Sequence, residues 1–515
     1  MSFPKLEAAR FRWHPSPTDS RAVQRLANGT EAWVGIRDEN AKGQYDCYLN
    51  TSIRLEAAPK LSLSDLREAL QLALVHVRFE HPDFACTAIW GQDDNPSLPH
   101  IQYKSPTSNE EALEWAQECV STRAARYSGL DLHLELCKQR TAMGIARSAR
   151  SISIILIADA VDDQAKLNAG ANVEMLMLFN HIFWDAMGSR DFVGQLQTHL
   201  ATILDTAGSY QLPDFKWGDE ISNLTVPLLD ACKVNIEALG ADFEASRTEF
   251  VDSLMRSGSS WGLPVTNNTG NPRSEWYTFS KNDSEKMIQA VKERLGPNYT
   301  ISHLGHAATV LALLEKNPVP DDAPDSTALI TALPVNGRRY LHDELAVHRF
   351  GACQAGAVVE FQHLKTWAPK GNAQGTKTAL ENLCKHVKKS YDYWLKNEYQ
   401  LALGISKDNF LSAFLASTPM PFTGSSVPIF VTDGLVDRFV MKNVLNSKGE
   451  IIFSVDSCHF GVDTYGSDIL IRMDSWDGST VLSLCYNDGC LEPTIARDFL
   501  NTLADFMLHF VEEVQ

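Results

Sequence analysis

The run Phe179-Asn180-His181-Ile182-Phe183-Trp184-Asp185-Ala186-Met187-Gly188-Ser189 sets a histidine and an aspartate four residues apart, after an apolar stretch and before a helical pattern. A neutral imidazole is the side chain best matched to proton transfer near neutral pH. At a strand end it can project into a cleft, and an aspartate four residues on can turn back and fix the loop. The chemistry this permits is general-base activation of a poor nucleophile such as an alcohol, with the proton later returned to a leaving group. The chain has 15 histidines, so about one such spacing is expected by chance. A second does occur, at His459-Phe460-Gly461-Val462-Asp463. Spacing alone does not choose between the two.

A hydrolase is the first rival. Gly258-Ser259-Ser260-Trp261-Gly262 matches Gly-x-Ser-x-Gly. A nucleophile elbow needs a buried strand before the serine and a helix after it. Here Phe250–Met255 reads as helix and a Pro/Gly/Asn-rich loop follows, so the order is wrong. The ten cysteines are scattered without a CxxC pair. No disulfide framework or zinc ligand set is expected from them, and no metal.

The elements that must position these residues follow from periodicity. Tyr48–Leu55 alternates as a strand. Ser62 with Asp65 signals a helix start, and Leu66, Leu70, Ala73, Leu74 and Val77 recur at helical spacing up to His81-Pro82. Ser151–Ala158 and Val173–Phe179 read as buried strands. A helix follows, with Phe192, Leu196, Leu200 and Ile203 on one face. In the second half a helix is expected from near Ser284 and another over His303–Leu314. Strands are expected at Ala328–Leu333, Ala357–Phe361, Ile429–Thr432, Ile451–Val455, Ile469–Met473 and Val481–Tyr486. A last helix runs from about Thr494 to Val514. The class is α/β, with helix and strand mixed in both halves.

A chain of 515 residues is too long for one hydrophobic core. The turn-rich stretch before Pro272 sets the expected division: 1–215 as a first domain carrying His181 and Asp185, 216–272 as linker, and 273–515 as a second domain. A net charge of −18 excludes a broad basic footprint for nucleic acid or a membrane surface. The start, Met1 to Lys5, has no apolar signal core, and no run reaches the roughly 18 apolar residues of a membrane span. A cytoplasmic location is expected.

The stretch around His181 resembles the His-His-x-x-x-Asp-Gly signature of the superfamily that holds chloramphenicol acetyltransferase, plant BAHD acyltransferases and nonribosomal peptide condensation domains. The second histidine and the aspartate match; Asn180 and Ala186 stand where the signature has histidine and glycine. Pro334-Val335-Asn336-Gly337-Arg338-Arg339-Tyr340 with Phe350-Gly351 resembles the Val-Asp/Asn-x-Arg strand of the second half. Ser483-Leu484-Cys485-Tyr486-Asn487 resembles the closing strand. The plant Asp-Phe-Gly-Trp-Gly motif is missing. The opening Phe11-Arg12-Trp13-His14-Pro15 and the length are similar to fungal trichothecene 15-O-acetyltransferases.

The resemblance implies two similar domains, each a mixed sheet flanked by helices, with a tunnel between them. It implies His181 as general base in a direct attack on acetyl-CoA by the C-15 hydroxyl of a terpenoid acceptor. Asp185 is then an orienting residue, and Arg338 is its arginine partner by the Val-Asn-x-Arg match. Acetyl-CoA acts as co-substrate, with no tightly bound cofactor, and a monomer is expected. Coenzyme A is polyanionic, so an acidic protein needs a local basic site. Lys365, Lys370, Lys377, Lys385, Lys388, Lys389 and Lys396 against Glu381 and Asp392 give seven minus two, or +5. Lys385, Lys388 and Lys389 are the candidates to contact it. Two alternatives remain: a condensation-type transferase using a carrier-bound acyl group, and a non-catalytic binding protein on the same fold.

Overall fold

The computed structural model describes residues 5–41, 43–56, 60–91, 98–144, 150–206, 208–369, 373–415 and 422–512. Lys370 lies outside them. A six-stranded mixed sheet runs in the order Asn443–Leu445, Ile451–Val462, Cys47–Leu55, Asn172–Phe179, Ile152–Ala158, Val120–Ala124. Only the last pair is parallel. The expected strands at 48–55, 151–158 and 173–179 are its centre. The latter two are rich in Ile, Leu, Val and Met because both faces are covered, while Cys47–Leu55 also carries Asn50, Thr51, Ser52 and Arg54.

One face carries the helix Leu63–Glu80 packed on the helix Ala186–Asp205. Ser62 and Asp65 form the full capping box at the start of the former. The other face carries the helix Gly129–Met143, whose Leu132 packs on Ile155, Ile157 and Leu176.

A second mixed sheet orders Pro272–Thr278, Ser479–Asn487, Ile469–Trp476 and Pro428–Leu435. Beside it lies the antiparallel pair Leu329–Asn336 with Gln354–Phe361. The helices Ile301–Lys316, Ala373–Leu395 and Pro493–His509 complete the core around them. The two layers meet where Tyr48 donates to Ser274 Oγ (2.7 Å) and Trp276 packs edge-on against His459 (4.8 Å between ring centroids).

Several particulars differ from the expected elements. The strand Ile451–Val462, from the second half, hydrogen-bonds to Cys47–Leu55 and so belongs to the first sheet. Segment 216–272, expected as linker, contains the helix Ala241–Arg256, and its Leu228, Leu229, Phe243 and Phe250 are buried in the second core. Its turn-rich composition is confined to its ends. The helix expected from Ser284 starts at Lys281, because Ser280 supplies the cap by accepting from Asp283 N–H. No described helix is long and apolar enough to cross a membrane.

Candidate active site

The strand Asn172–Phe179 is held on both sides to its last residue, with Phe179 opposite Cys47 on one neighbour and Ile152 on the other. The chain therefore leaves the sheet from a fixed point. Asn180, buried, closes the turn: its N–H donates to Ser151 O (3.0 Å), and its side-chain oxygen accepts from Ile182 N–H (3.0 Å). That is a local reason for asparagine at this position, since its short side chain caps a turn on its own backbone. Trp184 is fully buried among Phe84, Phe179, Phe192 and Phe350, and its indole N–H donates to Ser151 O (2.9 Å).

His181 is half-buried at the turn, and its backbone N–H donates to Asp46 Oδ1 (3.3 Å). Its ring Nδ1 is hydrogen-bonded to the Trp184 carbonyl oxygen. A carbonyl can only accept, so Nδ1 must carry the hydrogen. In the neutral ring the lone pair is then on Nε2. This is the tautomer a base acting through Nε2 requires.

Asp185 caps the helix Ala186–Asp205, accepting from Gly188 N–H (2.7 Å). It also accepts from Cys353 N–H (2.8 Å) and from both terminal nitrogens of Arg338, at 2.8 and 3.0 Å. Burial pushes the Asp185 carboxyl up, but Arg338 and the two backbone donors outweigh it and hold the carboxyl below its ordinary value. Arg338, half-buried, donates further to Arg349 O and Gly351 O. It thus ties the turn after Leu329–Asn336 to the loop 349–353 and to the His181 segment. Gly188 lies against that loop: a Cβ there would come within 1.9 Å of Phe350 O.

The second His-x-x-x-Asp match is split. His459 lies within a strand beside Trp276, and burial lowers its pKa. Asp463 turns instead to His133, 3.0 Å away. The Gly-x-Ser-x-Gly match follows the helix Ala241–Arg256 directly as a short 3-10 turn, so no strand precedes the serine.

The lysines lie on the helix Ala373–Leu395 and its flanks. Lys385 and Lys389 are exposed; Lys388 is half-buried and paired with Asp392 (2.8 Å). Lys377 is buried, and Lys365 donates to Asp321 O and Ala323 O. Lys389 and Lys396 line a groove with Glu249, Asp252, Glu360 and Asp392. That groove shares no residue with the cavity lined by Asp46 and Asn180. Asp46, which meets both His181 and Arg140 (3.2 Å), was not anticipated, because nothing in its local sequence marks it.

Two mixed sheets flanked by helices, with the histidine loop at a central strand end and its aspartate held by an arginine from the other half, make up a fold shared with condensation domains. A cyclization–docking bidomain from Sorangium cellulosum shares the fold alone, at TM-score 0.58 and 12% identity over 97% of this chain and 87% of that one. The sequence profile of the family described as 15-O-acetyltransferase Tri3 matches residues 3–412. A putative 15-O-acetyltransferase from Stachybotrys chartarum is 40% identical over 99% of this chain and 92% of its own length. The solved TRI3 trichothecene 15-O-acetyltransferase from Fusarium sporotrichioides superposes at TM-score 0.92 and 35% identity, covering 98% of this chain and 99% of that one. The chain belongs to the Tri3 15-O-acetyltransferase family.

Proposed function

We propose that this protein transfers the acetyl group of acetyl-CoA to the C-15 hydroxyl of a trichothecene, with His181 as general base. The substrate reading rests on the names of its relatives. The observation that carries the mechanism is the Nδ1 hydrogen bond of His181 to the Trp184 carbonyl, which leaves Nε2 as proton acceptor. Nε2 takes the proton of the acceptor hydroxyl as its oxygen attacks the thioester carbonyl. The C–O bond forms and a tetrahedral oxyanion results. Its collapse breaks the C–S bond, and Nε2–H returns the proton to the departing thiolate.

Proton transfer of this kind contributes about 100- to 10,000-fold. Asp185 and Arg338 do not touch the reacting atoms in this scheme; they hold the loop. Lys385, Lys388 and Lys389 supply positive charge for the donor's phosphates, supported by their grouping on one helix in an acidic chain. The same reading takes the enzyme to act as a cytoplasmic monomer. Incubation with acetyl-CoA and a 15-hydroxy trichothecene, following free thiol, tests the assignment. Thiol release with product acetylated at C-15 supports it. No acceptor-dependent release, or release only from a carrier-bound acyl group, refutes it.

A further inference from the structure

Away from the His181 turn, three metal-ligating side chains converge on one buried point. His133 and Cys137 stand four residues apart on the helix Gly129–Met143, and so share a face. Asp463 directly follows the strand Ile451–Val462. All three are buried. His133 Nε2 is 3.0 Å from Asp463 Oδ1, and Cys137 Sγ is 3.5 Å from His133 Nε2. Cys137 Sγ is also 3.8 Å from each Asp463 oxygen. Zinc bonds to N and O of about 2.0–2.2 Å and to S of about 2.3 Å, spread tetrahedrally, place ligand atoms roughly 3.3–3.6 Å apart. The three observed separations bracket the edges of one face of that tetrahedron.

The geometry is not that of a nucleophile relay. In a relay the base meets the nucleophile through one ring nitrogen and its carboxylate through the other. Here thiol and carboxylate both approach Nε2. Tyr48 stacks on the imidazole at 3.7 Å between centroids and fixes its plane. His133, Cys137 and Asp463 line a cavity of about 70 Å³, which also meets the exposed Arg150. One water needs about 10–15 Å³ of such volume, so there is room for a fourth ligand.

We propose that His133, Cys137 and Asp463 form a binding site for one divalent transition-metal ion, zinc by its ligand chemistry, with the fourth position in the cavity. One nitrogen, one sulfur and one oxygen suit a borderline-soft ion better than magnesium or calcium, which prefer all-oxygen shells. Asp463 N–H donates to Asp46 O (2.7 Å), and the Asp46 carboxylate accepts from the His181 N–H, so the ion would sit two hydrogen-bonded residues from the base.

The test is to titrate the full-length, metal-stripped protein with Co²⁺ in weakly buffered solution near pH 7. The expected result is a thiolate-to-cobalt charge-transfer band saturating at one ion per chain. Cys137→Ser should abolish the band. His199→Gln should leave it unchanged, because the other such cluster among the described residues, His76, Glu80 and His199, has no thiol. A wild-type titration with no such band overturns the proposal, as does a band that persists in folded Cys137→Ser. Zinc-edge X-ray absorption on the loaded wild-type protein removes any dependence on the variants: one sulfur neighbour is expected, and a shell of nitrogen and oxygen only refutes the site.

Discussion

Arg338 grips Asp185 with both ends of its guanidinium, at 2.8 and 3.0 Å, across 153 residues of chain. Asp185 is buried and Arg338 half-buried, and the pair joins the two halves at the loop that carries His181. Taking one partner away strands the other charge in a largely dry place, a loss that reaches about 3–5 kcal/mol only where a pair is fully buried. Asp185→Asn is therefore expected to lower the thermal midpoint and the turnover together. Sign matters for pH. Because the folded carboxyl is held below its ordinary value, its contribution is present above an unfolded pKa of about 3.9 and fades as pH falls through the folded value. Acid unfolding of Asp185→Asn should show a weaker pH dependence below about pH 4 than the wild type. An unchanged dependence there rules out the pair as a stabilising contact.

His181→Ala should preserve the fold, since the ring is only half-buried and its hydrogen bond to the Trp184 carbonyl lies within its own turn. Turnover should fall at least about 100-fold. His459→Ala, whose ring packs on Trp276 away from the turn, should lose far less. Steady-state rates on both variants decide the matter, and the reverse ranking would overturn the assignment of the base.

If the lysine face meets the donor's phosphates, KM for acetyl-CoA should rise with ionic strength, since partly exposed charges are screened over about 8 Å at 0.15 M salt. KM for a neutral acceptor should barely move. Reversing Lys385, Lys388 and Lys389 together to Glu should raise the acetyl-CoA KM and leave kcat nearly unchanged. An unaltered KM in the triple variant would assign the donor's charge partner elsewhere.

Gly188 has no room for a side chain, because Phe350 O stands where a Cβ would go. Gly188→Ala must push apart the helix start and the loop that Arg338 gathers. Overpacking of this kind costs about 1–3 kcal/mol. Differential scanning calorimetry should show that loss, and activity should fall with it as the His181 turn shifts. A variant with wild-type stability would mean the loop yields freely.

His303 and His306 contribute to a pH slope. Burial lowers His306 to about 3 and His303 to about 4, so both are neutral in the folded state. The unfolded chain binds their protons below about pH 6.5, so stability rises with pH between the folded values and 6.5. His306→Gln should flatten that slope by up to about 1.4 kcal/mol per pH unit. Denaturant midpoints at several pH values between 5 and 7 measure it, and identical slopes in variant and wild type would show that His306 is not a neutral buried group.

The sequence was most legible where its signals are local. Ser62 and Asp65 mark a helix start within one turn, and Val173–Phe179 followed by His181 places the turn that carries the base. The Asp185–Arg338 contact was reached through a family resemblance; no spacing rule joins residues so far apart. Asp46 beside His181, and Asp463 beside His133 across hundreds of residues, have no local mark at all, since strand order decides them. The lysine helix shows the same limit from another side. Its amphipathic pattern is plain, yet Lys377 turns inward and Lys388 pairs with Asp392, because packing against neighbouring elements decides which side chains stay free.

The strand Ile451–Val462 gives the molecule an order of assembly. On a ribosome, the strand Cys47–Leu55 emerges early and finds Asn172–Phe179 on one side, but its other edge waits for a partner made near the end of translation. Until then it presents a row of unpaired backbone groups, the kind of edge that pairs with other chains. A fragment ending before residue 450 should therefore aggregate and not fold as an independent half. Co-expressing the missing piece, and not simply cooling the culture, is what should keep it soluble.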